Sequence, residues 1–411
     1  MAGRPFAAAR GEPSSHREQG GLSESGQEGD PGGTAEASAA AVRGAAPSRQ
    51  APLGLRPGSL AAPLAALGER PFRERQILSW IYARDVLDPA GMSDLPAGLR
   101  DALGGVLAPL DMHIGHVSRS ADGTRKLLVE LRDGRRVESV LIPDGERLTL
   151  CISTQVGCAM GCTFCATARL GLERHLEVAE IVGQVVLARR EIAADPLGPG
   201  HLTNLVFMGM GEPLHNIEGL LPALEILTQQ WGLAISPRRI TVSTVGVVPQ
   251  MKRLLEETYV RLAVSLGATT EEERRAIMPV TRRWSLAELL ETCRTLPIKR
   301  RDRITFEYTL LAGHNDSDEA ARRLVRLLAG IRAKVNLIFW NAFPGADHQR
   351  ASRERTQRFQ QILLDHGVNA TIRESRGPDI QAACGQLAAA AEPAGFAVAE
   401  VPPAVPGPPE Q

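Results

Sequence analysis

Four of the six cysteines in this 411-residue chain stand close together, at positions 151, 158, 162 and 165. Cys158, Cys162 and Cys165 form a C-x3-C-x2-C pattern, and three thiolates on so short a loop can surround one face of an iron–sulfur cluster. A structural zinc ion would need four ligands, but no second C-x2-C pattern follows, and His175 lies ten residues beyond the third cysteine. The spacing therefore predicts a 4Fe-4S cluster held by three cysteines.

A cluster with three protein ligands leaves one iron open. That iron can bind the amino and carboxylate groups of S-adenosylmethionine and deliver the electron that cleaves it, which is the arrangement of the radical S-adenosylmethionine (radical SAM) superfamily. A structural metal clip is the alternative interpretation of the triplet. Cys293, in LAELLETCRTL, lies on a predicted amphipathic helix and is assigned no role.

The composition is that of an ordinary soluble globular protein, with 43% hydrophobic and 23% charged residues. No run of about 18 apolar residues is present that could cross a membrane. The N-terminus, MAGRPFAAARGEPSSHREQG, lacks the apolar centre of a secretory signal. We therefore expect a cytoplasmic protein without a membrane partner. In a reducing compartment, a tight group of cysteines is expected to hold a metal or take part in chemistry rather than form permanent disulfides.

The two ends of the chain differ from the rest in composition. Residues 1–50 are rich in Ala, Gly, Ser, Pro and Glu without apolar periodicity, and residues 388–411 are rich in Ala and Pro. Such segments cannot bury enough apolar surface to offset the entropy lost on ordering, so both are predicted to be disordered tails. The formal net charge of the chain is +0. Between the tails basic residues are in slight excess, which is compatible with a nucleic-acid partner without requiring one.

Two segments precede the cysteines. Residues 57–110 carry apolar side chains at helical spacing between Pro and Gly breaks, and they predict a small helical accessory domain. In residues 111–146, the pairs Asp122-Gly123 and Asp133-Gly134 separate β-prone runs as hairpin turns do. A short antiparallel β extension is therefore expected there.

From residue 147 to residue 387 strands and helices alternate. Six strand-like runs are each followed by a helical pattern: 147–153, 202–209, 239–244, 260–266, 303–310 and 334–340. Six successive βα units predict an α/β fold with a parallel sheet and helices packed outside it. The length favours a partial (β/α)6 barrel over a full eight-unit barrel. Chemistry is then expected at the C-terminal ends of the strands, and the cysteine triplet follows the first of them.

Five segments resemble the RlmN/Cfr methyltransferases, radical SAM enzymes that methylate an adenine ring carbon in RNA. They are CISTQVGCAMGCTFCATARLGLERHL, VFMGMGEPLHN, RRITVSTVGVVP, VNLIFWNAFPG and RESRGPDIQAACGQLA. The resemblance extends from about residue 70 to residue 388. It implies a radical SAM partial barrel, a 4Fe-4S cluster on Cys158, Cys162 and Cys165, and S-adenosylmethionine as the cofactor, with two molecules used per turnover.

The same resemblance implies roles for two more cysteines and a glutamate. Cys384 takes a methyl group from one S-adenosylmethionine, and a radical made from the second activates that methyl group so that its carbon adds to adenine. Cys151 then attacks the sulfur of Cys384, and a transient disulfide releases the methylated base. Glu138 is implied as the base that removes the ring proton. Without the resemblance, Cys151 would be a small buried core residue and Glu138 an edge or solvated strand residue.

The resemblance also implies contacts to S-adenosylmethionine at strand ends, by Gly211, Glu212, Ser243, Ser265, Leu266, Gly267 and Asn341. A carboxylate and a tight backbone suit the ammonium group of that cofactor. The plainer interpretations are a strand-to-helix turn for Gly211 and Glu212, and helix capping for the polar strand-end residues. Gly267 stands where many family members have His or Asn, so a contact there would be made by the backbone.

Three functions are consistent with these patterns. The first is methylation of carbon 2 of adenosine in the peptidyl transferase centre of 23S rRNA, and of the adenosine beside the tRNA anticodon. The second is Cfr-type methylation of carbon 8 of the same rRNA base. The third is a non-catalytic iron–sulfur protein that binds RNA or senses oxidation, although such a protein has no need of both Cys151 and Cys384. Either enzyme would need an electron donor such as a flavodoxin or ferredoxin.

Overall fold

The computed structural model describes residues 49–299 and 302–388, and these contain twelve strands and eleven α-helices. The strands are β1 His113–Arg119, β2 Arg125–Glu130, β3 Arg136–Asp144, β4 Arg147–Cys151, β5 Gln155–Gly157, β6 Leu172–His175, β7 Asn204–Phe207, β8 Ile240–Thr244, β9 Arg261–Ser265, β10 Ile304–Leu310, β11 Ala333–Phe339 and β12 Ala370–Arg373. The helices are α1 Ala61–Ala66, α2 Phe72–Ala83, α3 Ala97–Val106, α4 Ala166–Arg169, α5 Val178–Ala194, α6 Ile217–Thr228, α7 Val248–Glu257, α8 Glu271–Ile277, α9 Leu286–Thr295, α10 Asp318–Leu327 and α11 Arg353–Asp365. Almost all of the two predicted tails lies outside the described residues.

Ten strands form one sheet in the order β1-β2-β3-β4-β7-β8-β9-β10-β11-β12. The first four are antiparallel, and β4 begins a run of parallel neighbours that ends at β12. Parallel neighbours need a crossover connection, and a helix supplies it after each of the six predicted strands. The predicted partial barrel is therefore confirmed. A seventh parallel strand, β12, extends it beyond the six that were predicted.

Two hairpin turns shape the antiparallel part of the sheet. Gly123 and Gly134 both have a positive φ, +85° and +78°, which glycine adopts without strain. The carboxylate of Asp122 accepts a hydrogen bond from the N–H of Thr124 at 2.9 Å, and this closes the first turn. Both predicted hairpins are thereby confirmed. They join β1 to β2 and β2 to β3, and β3 pairs with β4, so the antiparallel strands continue the barrel sheet directly.

The helical residues before β1 share their apolar core with the barrel. Leu64, Ile77 and Leu103 are buried in the same cluster of side chains as the strands. Tyr82 donates its hydroxyl to the carbonyl of Leu55 at 2.7 Å, which ties α2 to the segment before α1. All the described residues belong to one compact unit. The domain boundaries at 110 and 146 stay predictions.

Serine side chains begin three of the helices outside the sheet. Ser285, Ser317 and Ser352 each accept a hydrogen bond from a backbone N–H in the first turn, ahead of α9, α10 and α11. This satisfies one of the N–H groups that a helix start leaves without an internal partner. Among the described residues, none of the helices is both long and apolar enough to span a bilayer.

Candidate active site

An open cavity lies at the C-terminal ends of the parallel strands. Strand-end residues that line it come from β4, β7, β8, β9, β11 and β12. Five of the six cysteines line it as well: Cys151, Cys158, Cys162, Cys165 and Cys384. Chemistry in barrels of parallel strands occurs at this face, so the cavity is the candidate active site.

The cysteine loop leaves β5 and enters α4. Gly157 has a φ of +74°, and a Cβ there would lie 1.8 Å from the carbonyl oxygen of Gly171, so only glycine fits. The N–H of Cys158 donates to that same oxygen at 2.7 Å. Cys158 and Cys162 are buried, and Cys165, which immediately precedes α4, is half-buried. The loop thus presents three thiols to one cavity.

The arrangement of these thiols fits a cluster better than a single ion. In the described part of the chain, no group of three or more His, Cys, Asp or Glu side chains is arranged to hold one metal ion, as a zinc site would be. The ligands of a 4Fe-4S cluster stand around a larger body, one thiolate to each iron. Burial raises the pKa of Cys158 to about 12 and that of Cys162 well above its usual value. Thiolates at these positions therefore call for a bound cationic group.

Residues 382–388 are bound to the end of the cysteine loop. The N–H of Ala166 donates to the carbonyl of Gly385 at 2.7 Å, and the hydroxyl of Thr167 donates to the carbonyl of Leu387 at 2.6 Å. Gly385 has a φ of +84°, and a Cβ there would lie 3.2 Å from the carbonyl oxygen of Phe164. This close approach holds the neighbouring Cys384 at the cavity.

Cys151 and Cys384 lie far apart in the sequence, yet both line the cavity. Cys151 ends β4 and is buried, whereas Cys384 opens to the cavity while protein surrounds it. Burial, and then the charge of a Cys384 thiolate, raise the pKa of Cys151 to about 12. The surrounding protein also raises the pKa of Cys384, and the positive charge of Arg373 opposes that shift. The charge of a Cys384 thiolate therefore affects the ionisation of Cys151 across the cavity.

Glu138 lies on β3 and is only 2% exposed. Its Oε1 is 2.9 Å from Nζ of Lys126, and its Oε2 accepts from the N–H of Ala388 at 2.8 Å. The interpretation of Glu138 as a solvated residue is therefore wrong, because the C-terminal segment binds over this part of the sheet. Glu138 is not among the described residues that line the cavity. Leu387, which precedes its hydrogen-bond partner Ala388, does line the cavity.

Gly211 and Glu212 line the cavity just beyond β7. A Cβ on Gly211, whose φ is +98°, would lie 2.6 Å from the side chain of Gln155. The carboxylate of Glu212 accepts from the N–H groups of Leu214 at 3.0 Å and Val245 at 2.8 Å. Burial raises the pKa of Glu212 to about 7, and these hydrogen bonds oppose that shift. Glu212 thus joins the ends of β7 and β8 at the cavity wall.

Three further predicted cofactor residues line the cavity: Ser243, Ser265 and Asn341. Leu266 and Gly267 are not among the described residues that do so. Leu266 is fully buried. Gly267 has a φ of +76°, and a Cβ there would lie 2.4 Å from the sulfur of Met278. The carbonyl of Gly267 accepts from Nδ2 of Asn315 at 2.7 Å. The close packing against Met278 explains why glycine stands at 267.

Four charged residues that line the cavity were not predicted: Glu307, Arg373, Glu374 and Arg376. Glu307, on β10, is buried, and its Oε1 accepts from Nδ2 of Asn336 at 3.0 Å, while its Oε2 has no hydrogen-bond partner among the described residues. Burial raises the pKa of Glu307. Arg373, at the end of β12, lowers the pKa of Cys151, of Cys384 and of Glu307. An acidic residue inside the apolar strand ITFEYTL is the sequence signal that could have identified Glu307.

Comparison with known proteins places the chain in a family. The family model of the Radical SAM superfamily matches residues 152–325, and that of the ribosomal RNA large subunit methyltransferase N-terminal domain matches residues 53–108. The dual-specificity RNA methyltransferase RlmN of Anaeromyxobacter dehalogenans is 51% identical over 336 residues, covering 81% of this chain and 90% of that protein. The chain belongs to the RlmN family.

Other RlmN-family proteins and a solved structure agree. The dual-specificity RNA methyltransferase RlmN 2 of Myxococcus xanthus is 49% identical over 327 residues, covering 78% of this chain and 86% of that protein. The crystal structure of a radical SAM methyltransferase from Sphaerobacter thermophilus has a TM-score of 0.77 and 44% identity, covering 82% of this chain and 99% of that one. As an RlmN-family member, the chain is a radical SAM RNA methyltransferase, and its superfamily implies a 4Fe-4S cluster and S-adenosylmethionine. The non-catalytic interpretation is wrong.

Proposed function

We propose that the chain methylates carbon 2 of adenosine in the peptidyl transferase centre of 23S rRNA, and of the adenosine beside the tRNA anticodon. The observation that supports this most is the meeting of Cys151, Cys384 and the cysteine loop at one cavity. An adenine C–H carbon offers no lone pair to a methyl cation, so the reaction needs a thiol that carries the methyl group and a second thiol that releases the product. The relatives' name, dual-specificity RNA methyltransferase, agrees with two RNA substrates.

Cys384 acts first in the proposed sequence. Its thiolate attacks the methyl group of S-adenosylmethionine, and a sulfur–carbon bond forms as the sulfonium bond breaks. When bound, the cluster on Cys158, Cys162 and Cys165 and a second S-adenosylmethionine supply the electron and the radical that join this methyl carbon to adenine. Gly211, Glu212, Ser243, Ser265 and Asn341 would contact that cofactor from the cavity wall. The backbone of Leu266 and Gly267 would position the adjoining Ser265. A flavodoxin or ferredoxin is the proposed electron donor.

Glu138 and Cys151 act next. Glu138 removes the proton from the ring carbon, with Lys126 and the N–H of Ala388 orienting its carboxylate. The ring also gives up the unpaired electron that the addition leaves on it, and a bound cluster would be the acceptor of that electron. The thiolate of Cys151 then attacks the sulfur of Cys384, so that a disulfide forms and the sulfur–carbon bond breaks. The electron pair of that bond stays with the base, whose new carbon takes up a proton. A cellular dithiol reduces the disulfide before the next cycle.

The proposed activity also suggests how the chain is organised. Residues 57–110 are the accessory domain, 111–146 the antiparallel extension and 147–387 the catalytic part. The accessory domain coincides closely with the match at residues 53–108. Because the proposed substrates are ribosomal and transfer RNA, we propose that the protein is cytoplasmic.

Mass spectrometry of rRNA and tRNA fragments tests the proposal. RNA from cells that lack the gene should lose one methyl group on carbon 2 of adenosine in both RNA classes. A plasmid copy of the gene should restore both, and a Cys384→Ala copy should restore neither. Methylation at carbon 8 would replace the proposal with the Cfr-type activity, and a change in rRNA alone would remove tRNA from it.

A further inference from the structure

Arg274 is a charged side chain in the protein core, only 1% exposed. It lies on α8, and its guanidinium donates to the carbonyl of Leu266 at 2.9 Å, the hydroxyl of Thr281 at 2.7 Å and the carbonyl of Val245 at 2.6 Å. These acceptors are all uncharged. The nearby Glu271 carboxylate instead accepts from Arg275 and from the N–H of Leu286. The guanidinium is therefore fixed in place without an ion pair to any carboxylate of residues 49–299 or 302–388.

Such a site is costly to build. Burying a cation without a hydrogen-bonded carboxylate carries a large desolvation cost. Burial lowers the pKa of Arg274 to about 10, so the side chain still carries its charge at neutral pH. An uncharged side chain with N–H groups would be enough to donate hydrogen bonds to the carbonyls that follow β8 and β9. The charge itself consequently calls for an anion at this position.

The cysteine loop lies directly against α8. The carbonyl of Ile277, the last residue of α8, accepts from the N–H of Thr163 at 3.0 Å. Ile277 and the following Met278 pack with Cys162 in one buried apolar cluster. Val245, whose carbonyl accepts from the Arg274 guanidinium, packs against this same cluster and lines the cavity together with Cys162. An anionic group bound at Cys162 would therefore lie close to this guanidinium.

We propose that Arg274 is a positioning residue whose fixed positive charge stabilises the reduced form of the iron–sulfur cluster bound at Cys162. Three thiolates make such a cluster site negative, and one electron from a low-potential donor adds a further negative charge without making or breaking a bond. A positive charge in a low-dielectric core favours the more negative form and so raises the reduction potential. The proposal rests on the assignment of the cluster to Cys158, Cys162 and Cys165. It does not depend on which RNA base is methylated, so the two proposals fail separately.

Reduction potentials of the reconstituted full-length protein test this role. Each variant is loaded with iron and sulfide, its iron content is measured, and its midpoint potential is read by an EPR-monitored titration with dithionite. Arg274→Gln removes the charge. Thr281→Asp retains Arg274 but places a carboxylate against it, and Thr281→Val removes the same hydroxyl without adding charge. Arg125→Gln is the control for loss of a buried arginine, since Arg125 is buried and pairs with Glu191 and Asp195 outside the cavity.

The expected result is a more negative midpoint potential in Arg274→Gln and Thr281→Asp, with the wild-type potential in Thr281→Val and Arg125→Gln. If Arg274→Gln does not fold or takes up no iron, the comparison of Thr281→Asp with Thr281→Val decides. Wild-type potentials in the iron-loaded Arg274→Gln and Thr281→Asp proteins would overturn the proposal. An equal shift in Arg125→Gln or Thr281→Val would also overturn it, because the effect would then not come from the charge of Arg274.

Discussion

Nδ2 of Asn341 donates a hydrogen bond to the carbonyl oxygen of Cys384 at 3.2 Å, and Oδ1 of Asn341 accepts from the hydroxyl of Ser375 at 2.5 Å. Asn341 follows β11, and Ser375 follows β12. One amide thus connects the ends of two barrel strands to the backbone of the residue proposed to carry the methyl group. A residue predicted from resemblance to contact the cofactor also positions this thiol.

Loss of any one cysteine of the triplet should abolish cluster binding. Alanine at position 158, 162 or 165 removes one of three ligands, so the purified protein should lose its brown colour and the roughly four irons expected of a 4Fe-4S cluster. Cys293→Ala is a matched control, because Cys293 is also a buried free thiol but lies on α9. Iron and sulfide analysis under anaerobic conditions makes the measurement. Unchanged iron content in a variant with alanine at all three of these positions would rule out the assignment.

Variants that lack Cys384 or Cys151 should fail at different stages of the reaction. Cys384→Ala should acquire no methyl group and form no RNA adduct. Cys151→Ala should accumulate RNA attached through Cys384, because a carbon–sulfur bond to the base does not hydrolyse and no thiolate is present to attack the sulfur. Denaturing gels with and without ribonuclease would show this adduct. Normal turnover in Cys151→Ala, or an adduct in the double variant, would contradict the two-thiol mechanism.

Gly385→Ala should impair methyl loading as well as stability. A non-glycine residue at a left-handed φ costs about 1 kcal/mol, and here the added Cβ would also press on the carbonyl of Phe164 beside the cysteine loop. Gly330→Ala is the control, since Gly330 has a φ of +78° and no atom within 4 Å of an added Cβ. Both variants should lose similar free energy of unfolding. Intact-protein mass spectrometry should show less methylated Cys384 in Gly385→Ala alone.

Glu212 should make stability depend on pH. Its folded-state pKa is raised from 4.5 to about 7, so the folded protein binds this proton more tightly than the unfolded chain does. This difference adds to the free energy of unfolding in full when the pH is below the pKa of Glu212 in the unfolded chain. The contribution, on the order of 3 kcal/mol, is lost as the pH rises through the pKa of Glu212 in the folded protein. Urea unfolding of cluster-free protein at a series of pH values measures it. Glu212→Gln should flatten this part of the profile, and an unchanged slope in the variant would show that another group titrates.

The parts of the fold that were predicted correctly have strong local signals. The Asp-Gly pairs at 122 and 133 fix two turns through glycine conformation and short carboxylate hydrogen bonds, which depend on neighbouring residues alone. The six parallel strands that precede β12 in the chain, β4 and β7 to β11, are apolar runs bounded by turn residues. By contrast, β12 is only four residues long and only one of the four is buried, so its sequence carries little apolar pattern. Its place in the sheet comes from pairing with β11.

The site needed information that local pattern does not hold. Glu138 is buried because a segment from the other end of the chain binds it, and Arg274 lies in EEERRAI, whose charges are typical of a solvated helix. The meeting of Cys151 and Cys384 depends on the whole run of strands between them. Only resemblance to a family indicated that pair in advance, and no resemblance indicated Arg274.

The hydrogen bonds of Gly385 and Leu387 to the start of α4 have a consequence for biosynthesis. The segment that makes them leaves the ribosome after the twelve strands of the described residues, so a nascent chain can form its sheet and its cysteine loop before it possesses the thiol proposed to carry the methyl group. A chain whose translation stops early, or which a protease cuts after β12, would retain the loop proposed to bind the cluster but lack the proposed methyl carrier. Such a fragment could consume S-adenosylmethionine without modifying RNA, which gives the cell a reason to degrade it.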